Sequence, residues 1–455
     1  MRRVLFLASV LAGAVLVGGC TSLARVDDNA VNERLQARGA PAANFRPTSS
    51  PAALPAAPLD VRQAVELAFE RSPAVRELYA ELGVSAADLV AARTLPNPTL
   101  GYSRLTGGDV AKTTRSASLN FADLLLMPAR ARFAGVEFEI TRDRVASRLL
   151  ALEHDVNVAW YDAVAASQGA EVADLAARTA KAAAEYARRL DTAGNITPRA
   201  LALELAAAAS AGIDAARAHA EALRARATLA TLIGLSTRDD WRIASRLPAL
   251  PPETPPADLV DRALVTRLDL AAARREAAAF DSALITARAW RWLGEFELGY
   301  ERETEADGTR LRGPTFAIKL PLFGLNRAAV LRASAARDAA SARRDALELA
   351  VRNDAALALD RMATARGIAD AYRSTLLPQR EAATARTLEE VNSMLSGAFE
   401  LLATRREQFA AYREYIDAVR DYWLARVDLE RALGANLPAA ADTATLDLGP
   451  TGESR

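Results

Sequence analysis

One pattern occurs twice in this chain, at an offset of about two hundred residues. Residues 96–102 read PNPTLGY, and residues 294–300 read GEFELGY. Each is followed by a second strand-like run, at 116–121 and 315–323, and then by a long region rich in Ala, Arg, Leu and Glu. The two regions close on similar phrases, LATLIG at 229–234 and LERALG at 429–434. Internal repetition on this scale indicates two copies of one supersecondary unit.

The alternation of residue types within these runs predicts strands. In 295–301, Phe296, Leu298 and Tyr300 share one face, and glutamates occupy the other. Residues 315–323 alternate in the same way, and the first copy does so more weakly. Such alternation is typical of membrane barrel strands and equally of a half-buried soluble sheet. Four strands cannot close a barrel, and lipid does not tolerate open edges, so a barrel would need strands from other copies.

The first twenty residues have the pattern of a bacterial lipoprotein signal. Arg2 and Arg3 precede an apolar run, and small residues lead up to Cys20, the one cysteine of the chain. This pattern predicts that residues 1–19 are a signal peptide and that the Cys20 thiol is acylated, for example with palmitate. The alternative is an ordinary cleaved signal with an incidental cysteine. Because Thr21 follows, where an aspartate would favour the inner membrane, we expect a lipid anchor in the outer membrane.

Composition excludes several classes of function. The 57 basic and 57 acidic residues balance, so no polyanionic partner such as nucleic acid is indicated. Alanine dominates the apolar fraction and aromatic residues make up 6%, which predicts long helices packed through small side chains. Beyond the signal, no segment offers the about eighteen uninterrupted apolar residues of a spanning helix. If the mature chain crosses a membrane, it must do so with strands.

The segment before the first strand is predicted to begin extended and to continue as two helices. Residues 20–58 predict a lipid-anchored tether, because prolines recur there among Ala and Ser without periodicity. Asp60 then suits the N-cap of a helix that Ser72 and Pro73 break, and a second helix is predicted over about 74–93. Pro96 and Pro98 stop it and force an extended conformation.

Long helical hairpins follow each predicted strand pair. The first goes out over about 135–192, roughly 85 Å at 1.5 Å per residue. Gly194 and Asn195 suit its C-terminus, and Thr197 and Pro198 suit the cap and first turn of the return helix. The second goes out from Arg327 to about residue 395, turns at 396–399 and returns to about 433. A proline at 378 should kink or divide the outgoing helix.

Side chains that usually carry catalysis or bind metals are few and scattered. His154 and His219 are the only histidines, each alone in a predicted helix, which excludes a His-rich zinc or copper site. Thiol catalysis needs a cysteine besides Cys20, and neither a phosphate-binding loop nor a nucleophile elbow is present. His154 beside Asp155 could form a proton or metal site, with plain helix surface as the alternative. We therefore expect no enzyme activity, no catalytic residue, no metal and no cofactor.

Several short motifs occur in order along the chain: AVELA at 64–68 with the break at 72–73, the PNPTL entry to a strand, and LPLF at 320–323 leading to Asn326 and Arg327. In these motifs, their duplication and the lipoprotein signal, the sequence from residue 59 to 436 resembles the TolC-type outer membrane efflux factors. The resemblance implies a mainly α-helical chain with a membrane β-barrel, in which a homotrimer closes one barrel of twelve strands, four from each chain. The long antiparallel hairpins would form a coiled-coil periplasmic tunnel.

The resemblance also implies a function and partners. The chain would be the exit duct of a tripartite efflux pump, which passes small toxic solutes such as metal ions or drugs across the outer membrane of a Gram-negative bacterium. A periplasmic adaptor would dock on the hairpin tips, and an inner-membrane transporter of the RND type or similar would supply the energy. The tip residues are Gly194, Asn195, Ile196, Thr197, Ser396, Gly397, Ala398 and Phe399. A periplasmic coiled-coil scaffold lipoprotein without a pore is the alternative.

Two features depart from the family pattern. After the second strand of the first copy, residues 121–128 replace the usual glycine-rich bend, so that strand is expected to end or bend differently. Many relatives carry a gate aspartate two or three residues after paired leucines, whereas Leu401 and Leu402 here precede Ala, Thr and Arg405. A periplasmic gate ring built from Glu400 or Arg405 is one hypothesis, and solvated helix-face charges are the other.

The predicted organisation is therefore a signal peptide at 1–19, a tether at 20–58, a first copy at 59–250, a second copy at 251–436 and a tail at 437–455. Strands are expected at about 97–124 and 294–324, and helical hairpins at about 135–234 and 327–434.

Overall fold

The structure is a computed structural model that describes residues 29–44, 54, 57–108, 110–252, 258–292, 294–305, 307–319 and 324–437. Backbone contacts divide the chain into two compact units. Of the described residues, unit 1 contains 29–31 and those within Leu78–Val145 and Leu268–Leu347. Unit 2 contains those within Asn32–Glu77 and Ala146–Arg267, together with 348–437. Cys20, the predicted signal peptide and residues 438–455 lie outside the described residues.

The two copies have the same order of elements: two helices, two strands and a helical hairpin. In the first copy they are α2 (Val61–Arg71), α3 (Pro73–Arg93), β1 (Thr99–Gly107), β2 (Val110–Asn120), α4 (Phe121–Thr192) and α5 (Pro198–Leu232), after a short α1 (Asn29–Gln36). In the second they are α6 (Leu259–Thr266), α7 (Leu268–Ala289), β3 (Glu295–Thr304), β4 (Arg310–Lys319), α8 (Arg327–Ala371), a π-helical turn (Tyr372–Leu376), α9 (Leu377–Asn392) and α10 (Ala398–Leu433). In the described parts of the chain, no helix is both long and apolar enough to cross a membrane.

Residues 29–44 are not the extended tether that their composition predicts. In α1, Val31 and Leu35 lie one helical turn apart and are fully buried. Asn32 holds the segment that follows, because the amide of Ala43 donates to its Oδ1 over 2.9 Å. The prediction was wrong here because a helix of 8 residues with two apolar anchors gives too short a periodic pattern to recognise.

The predicted boundaries of α2 are confirmed. Gln63 and Asp60 form a reciprocal cap, in which the Gln63 amide donates to Asp60 Oδ1 over 2.7 Å and the Asp60 amide donates to Gln63 Oε1 over 3.2 Å. The helix ends at Arg71, and Pro73 begins α3. A proline has no amide hydrogen to continue the ladder, so it suits the first position of a new helix.

The two strand-to-helix connections differ between the copies. Residues 121–124, predicted as strand, already belong to α4, which begins at Phe121 and not near 135. Asn120 explains the early start, because its Oδ1 accepts the amide hydrogen of Ala122 over 3.0 Å and so caps the helix. In the second copy, Leu325 and Asn326 have φ values of 47° and 50°, and α8 begins only at Arg327.

Pro378 divides the second outgoing helix as predicted. The chain forms the π-helical turn at Tyr372–Leu376, immediately before α9. Pro378 cannot donate to the carbonyl four residues earlier. The amide of Leu377 donates instead to the carbonyl of Tyr372, five residues earlier, which is the π-helical pattern.

The core of unit 2 combines small side chains with one aromatic cluster. Ala170 and Ala173 of α4 pack against Ala215 and Ala218 of α5, as the alanine-rich composition predicts. The aromatic cluster, made of Trp160, Tyr161, Tyr422 and Trp423, includes rings of Tyr161 and Trp423 stacked at 5.1 Å. Each tryptophan donates its Nε1 hydrogen to a connecting segment, at the carbonyls of Leu59 and Pro248, both over 3.0 Å. These bonds attach irregular backbone to the helices.

Candidate functional site

The four strands form one antiparallel sheet in the order β1-β2-β3-β4. Residues directly opposite on neighbouring strands point to the same face. One row contains Leu100, Ala117, Tyr300 and Pro314, and the next rows add Leu119, Leu298, Phe316, Phe296 and Ile318. The ring of Phe296 packs between those of Phe121 and Phe316, with centroid distances of 5.9 and 4.6 Å. The alternation predicted for Phe296, Leu298 and Tyr300 is thus confirmed, and all four strands contribute to one apolar face.

The opposite face of the sheet is polar and carries carboxylates. Its rows contain Thr99, Gly101, Ser103, Thr114, Ser116, Ser118, Glu297, Gly299, Glu301, Glu303, Thr315 and Ala317. Leu105 and Leu311 are apolar exceptions near the strand-connecting turns. Lys112 forms ion pairs with Glu303 and, at 3.7 Å, with Glu305. The sheet therefore has one face whose rows nearest the helices are apolar and an opposite face that is polar and mainly acidic.

The turn between α4 and α5 has the predicted C-terminal and N-terminal caps. Gly194 has a φ of 72°, and the amide of Asn195 donates to the carbonyl of Leu190 over 2.8 Å. This is the bond that closes a Schellman motif. Thr197 caps α5, because its Oγ1 accepts the amide hydrogen of Ala200 over 3.2 Å. Ile196 is half-buried, whereas Gly194, Asn195 and Thr197 are exposed.

The turn between α9 and α10 has the same geometry, but its left-handed residue is Met394 and not Gly397. Met394 has a φ of 59° and takes the position of Gly194, while the amide of Leu395 donates to the carbonyl of Glu390 over 2.8 Å. Gly397 has φ −86° and ψ 151° and is the N-cap of α10. The predicted turn at 396–399 is therefore wrong: it covers 393–397, and Ala398 and Phe399 are helical. A left-handed methionine gives no sequence signal comparable to a glycine.

The second turn exposes apolar side chains that sequence reasoning missed. Met394 is 94% exposed and Leu395 is 82% exposed, the highest values among the exposed large apolar side chains of the described residues. Close by, the rings of Tyr186 in α4 and Phe399 in α10 lie 5.7 Å apart. This contact joins the two hairpins near their turns.

Each of the two predicted gate residues has its own partner. Glu400 Oε2 accepts a hydrogen bond from Ser396 Oγ over 2.6 Å, at the start of α10. Arg405 donates to Gln408 Oε1 over 3.2 Å. Inter-helix ion pairs in this region are formed instead by Arg406, which lies 3.5 Å from Glu204 of α5, and by Arg380 of α9 with Glu407 of α10.

A polar network joins α9 to α10 near this turn, and no sequence pattern predicts it. The buried Gln408 donates through Nε2 to Tyr412 Oη over 3.2 Å, and Tyr412 donates to Glu381 Oε1 over 2.6 Å. Burial and the bond to Glu381 raise the pKa of Tyr412 to about 12. The phenol therefore remains a hydrogen-bond donor at every physiological pH.

Within the described residues, no group of three or more His, Cys, Asp or Glu side chains is arranged to hold a metal ion. His154 is not plain helix surface, because its side chain is 11% exposed and its Nε2 lies 2.8 Å from Asp428 Oδ1. Burial lowers the pKa of His154, but hydrogen bonds to Asp428 and Asp155 outweigh burial and raise it. The residue thus forms a charge-assisted contact between α4 and α10.

Comparison with solved structures finds the same architecture in outer membrane channels. CusC, which forms a transmembrane channel, superposes with a TM-score of 0.70 at 16% identity, covering 86% of this chain and 99% of that chain. The CmeC outer membrane channel of Campylobacter jejuni gives 0.70 at 15% identity, covering 82% and 85%. The chain has the TolC-type fold. The open MtrE outer membrane channel of Neisseria gonorrhoeae superposes on this TolC-type fold at 0.69 with 20% identity, covering 82% and 89%. No protein-family model and no curated protein sequence matches the chain.

Proposed function

We propose that three copies of this chain form a passive outer membrane duct, the exit channel of a tripartite efflux pump for small toxic solutes such as metal ions or drugs. The observation that carries this proposal is the sheet with one apolar and one polar face, in a chain with the TolC-type fold. An apolar face across four strands suits lipid, and a polar face suits a water-filled lumen.

The open edges of the sheet support assembly from several chains. β1 and β4 each pair on one side only within the four-stranded sheet. Unpaired strand edges are not stable in lipid, because their amide and carbonyl groups find no water there. In a homotrimer, β4 of one copy would pair with β1 of the next, and twelve strands would close one barrel. The Cys20 acyl group would add a lipid anchor.

The hairpin turns are the proposed docking surface for a periplasmic adaptor, which would connect the duct to an inner-membrane transporter of the RND type or similar. The predicted set, Gly194 to Thr197 and Ser396 to Phe399, gains Met394 and Leu395, whose exposed side chains suit an apolar contact. Glu400 or Arg405 would contribute to a periplasmic gate. Since the duct has no energy source of its own in this proposal, the transporter would supply it.

Reconstitution tests the duct directly. The mature chain, purified from outer membranes, is expected to have the mass of a trimer in detergent and to give discrete conductance steps in a planar bilayer. Leu298→Arg places a charge on the apolar face and should prevent insertion, at a cost of about 2–4 kcal/mol near the bilayer centre. The matched control is Ser118→Arg on the polar face, which should still insert. A monomer without conductance would support the scaffold alternative and overturn the duct.

Cargo requires a separate experiment in cells. A deletion strain is expected to become sensitive to one class of compound in a panel of copper, silver, zinc, cobalt, dyes, detergents and antibiotics. Rescue by the wild-type gene, but not by Leu298→Arg, would attribute that sensitivity to conduction through the duct.

A further inference from the structure

Three arginines lie side by side across the apolar face of the sheet. Arg115 of β2 is directly opposite Arg302 of β3, and Arg302 is directly opposite Arg312 of β4. Tyr102 of β1 completes this row, and the Arg115 guanidinium lies 5.9 Å from its ring centroid. Directly opposite residues have Cβ atoms about 4.5–5.5 Å apart, so the three arginine side chains project from neighbouring positions on one face. We call Arg115, Arg302 and Arg312 the arginine row.

A second row, closer to the strand-connecting turns, adds positive charge on the same face. Arg104 of β1 and Arg310 of β4 lie at its ends, with threonines between them. All five arginines are exposed. In the part of the chain that the structure describes, none of them forms an ion pair with a carboxylate.

The nearby carboxylates cannot neutralise the arginine row, because strand alternation turns them away. Glu301 and Glu303 flank Arg302 in the chain and therefore point to the polar face, where Glu303 pairs with Lys112. Like charges directly opposite on neighbouring strands destabilise a sheet. A guanidinium binds phosphate through two parallel hydrogen bonds, so a row of three suits an anion with several phosphate oxygens.

The depth of the arginine row fits the border of a membrane. From the Phe296 row to the Arg302 row the strand advances six residues, about 20 Å at 3.4 Å per residue. The apolar band of a membrane barrel is about 25 Å tall and its strands are tilted, so the row would lie near the headgroups. The chain enters the sheet from α3 and leaves it into α4 at one end, which puts this row near the other end.

We propose that the arginine row binds the phosphate groups of anionic lipid in the leaflet at the turn end of the sheet. The inference rests on the proposed function, since it requires that the apolar face contacts lipid. The apolar rows next to the arginines would hold the acyl chains, and the guanidinium groups would hold the phosphates. Because the same surface offers apolar side chains beside guanidinium groups, it suits a lipid better than a soluble phosphate compound.

The test uses the full mature chain in nanodiscs of phosphatidylcholine that contain a small fraction of phosphatidic acid as the probe. Retained probe lipid is counted by native mass spectrometry for wild type, for Arg115→Gln, Arg302→Gln and Arg312→Gln singly, and for the triple variant. Each single change is expected to weaken probe binding about fivefold, and the triple change about a hundredfold. The matched control, Lys112→Gln with Lys319→Gln, removes positive charge from the polar face and should leave probe binding unchanged.

Further measurements make each outcome decisive. The trimer mass shows whether a variant is folded. If the triple variant does not fold, the three single variants test the proposal. Inorganic phosphate is added as a competitor, and displacement of the probe at equal concentration would overturn lipid as the ligand. Unchanged probe binding in the variants, with wild-type conductance present, would overturn the arginine row and leave the duct intact. A wild-type chain that neither inserts nor conducts would overturn both.

Discussion

Gly234 lies directly against the main chain of Arg71. A Cβ atom at this glycine would be 2.8 Å from the Arg71 carbonyl oxygen and 2.9 Å from its carbonyl carbon, and Gly234 has a φ of 72°. The second copy repeats the contact, since a Cβ on Gly434, with φ 67°, would lie 2.9 Å from Cγ and 3.0 Å from Cα of Arg267. Gly234 and Gly434 end the two similar stretches at 229–234 and 429–434. In each copy, the end of the return helix lies so close to the end of the first helix that only glycine fits.

Gly234→Ala should destabilise unit 2, because the new methyl group meets backbone that cannot rotate away and alanine is strained at this φ. A loss of about 2–4 kcal/mol is expected. The measurement is the shift in thermal or denaturant unfolding of the purified chain. Gly212→Ala is the matched control, since Gly212 lies inside α5 with no atom within 4 Å of its Cβ position. It should gain about 0.5–1 kcal/mol from helix propensity. Equal stability of the two variants would contradict the steric argument.

Backbone chemistry that acts over a few residues was the part of the fold most predictable from the sequence. The cap at Asp60, the cap at Thr197 and the division at Pro378 each depend on near neighbours in the chain. The helix at 29–36 was missed because its 8 residues carry only two buried apolar anchors, too few for a recognisable periodic pattern. Met394 was missed because the surrounding turn imposes a backbone conformation that the residue itself does not favour.

For the candidate site, the sequence predicts which residues of a single strand share a face, but not which residues of different strands lie side by side. Alternation in β3 correctly placed Phe296, Leu298 and Tyr300 on one face. The arginine row depends on the register among β2, β3 and β4, which no single strand encodes. The contact of Tyr412 with Glu381 likewise depends on how α9 and α10 are rotated relative to each other, which cannot be predicted from either helix alone.

Met394→Asn should stabilise the second turn, because asparagine tolerates the left-handed region better than methionine. A gain of about 0.5–1 kcal/mol is expected in the unfolding free energy. Gly194→Met places a methionine at the left-handed position of the first turn and should lower the unfolding free energy by about 1–2 kcal/mol. A loss for Met394→Asn would show that the methionine side chain makes contacts that outweigh its backbone strain.

Combining Met394→Asn with Leu395→Gln should abolish the proposed efflux while preserving the proposed duct. Both side chains are almost fully exposed, so the folded chain loses little when they become polar. Trimer mass and conductance should match wild type, whereas protection of cells against the identified cargo should be lost. Leu223→Gln, which changes an apolar side chain of α5 that is 69% exposed, is the control and should protect fully. Full protection by the double variant would remove these residues from the docking surface.

The carboxylates of the polar face should make the proposed duct prefer cations. Glu297→Gln with Glu301→Gln is expected to lower the cation-to-anion permeability ratio by about a few-fold. Lys112→Gln should act in the opposite direction, because it frees Glu303 and Glu305 from their ion pairs. The reversal potential under a potassium chloride gradient measures both effects. Shifts of the same sign in the two variants would contradict a lumen lined by this face.

Glu153 of α4 is a buried carboxylate that is only partly satisfied. Its Oε1 accepts a hydrogen bond from Asn436 Nδ2 over 2.7 Å, whereas its buried Oε2 has no hydrogen-bond partner among the described residues. Burial raises the pKa of Glu153 to about 7 from an ordinary 4.5, against the opposing effect of Asn436 and together with the nearby charge of Glu430. The folded chain therefore holds a proton that the unfolded chain releases between these two values.

Stability should consequently fall as pH rises from about 4.5 to about 7, and the loss should be complete above the folded pKa, at about 3 kcal/mol. Glu153→Gln mimics the protonated carboxyl, so it should change little at about pH 5 and gain up to about 3 kcal/mol at about pH 8. Denaturant unfolding at the two pH values measures the difference. Glu66→Gln on α2, whose side chain is 49% exposed, is the control and should shift stability by less than about 0.5 kcal/mol at both. A Glu153→Gln variant that gains nothing at the higher pH would show that the ionised carboxylate is compensated in the folded chain.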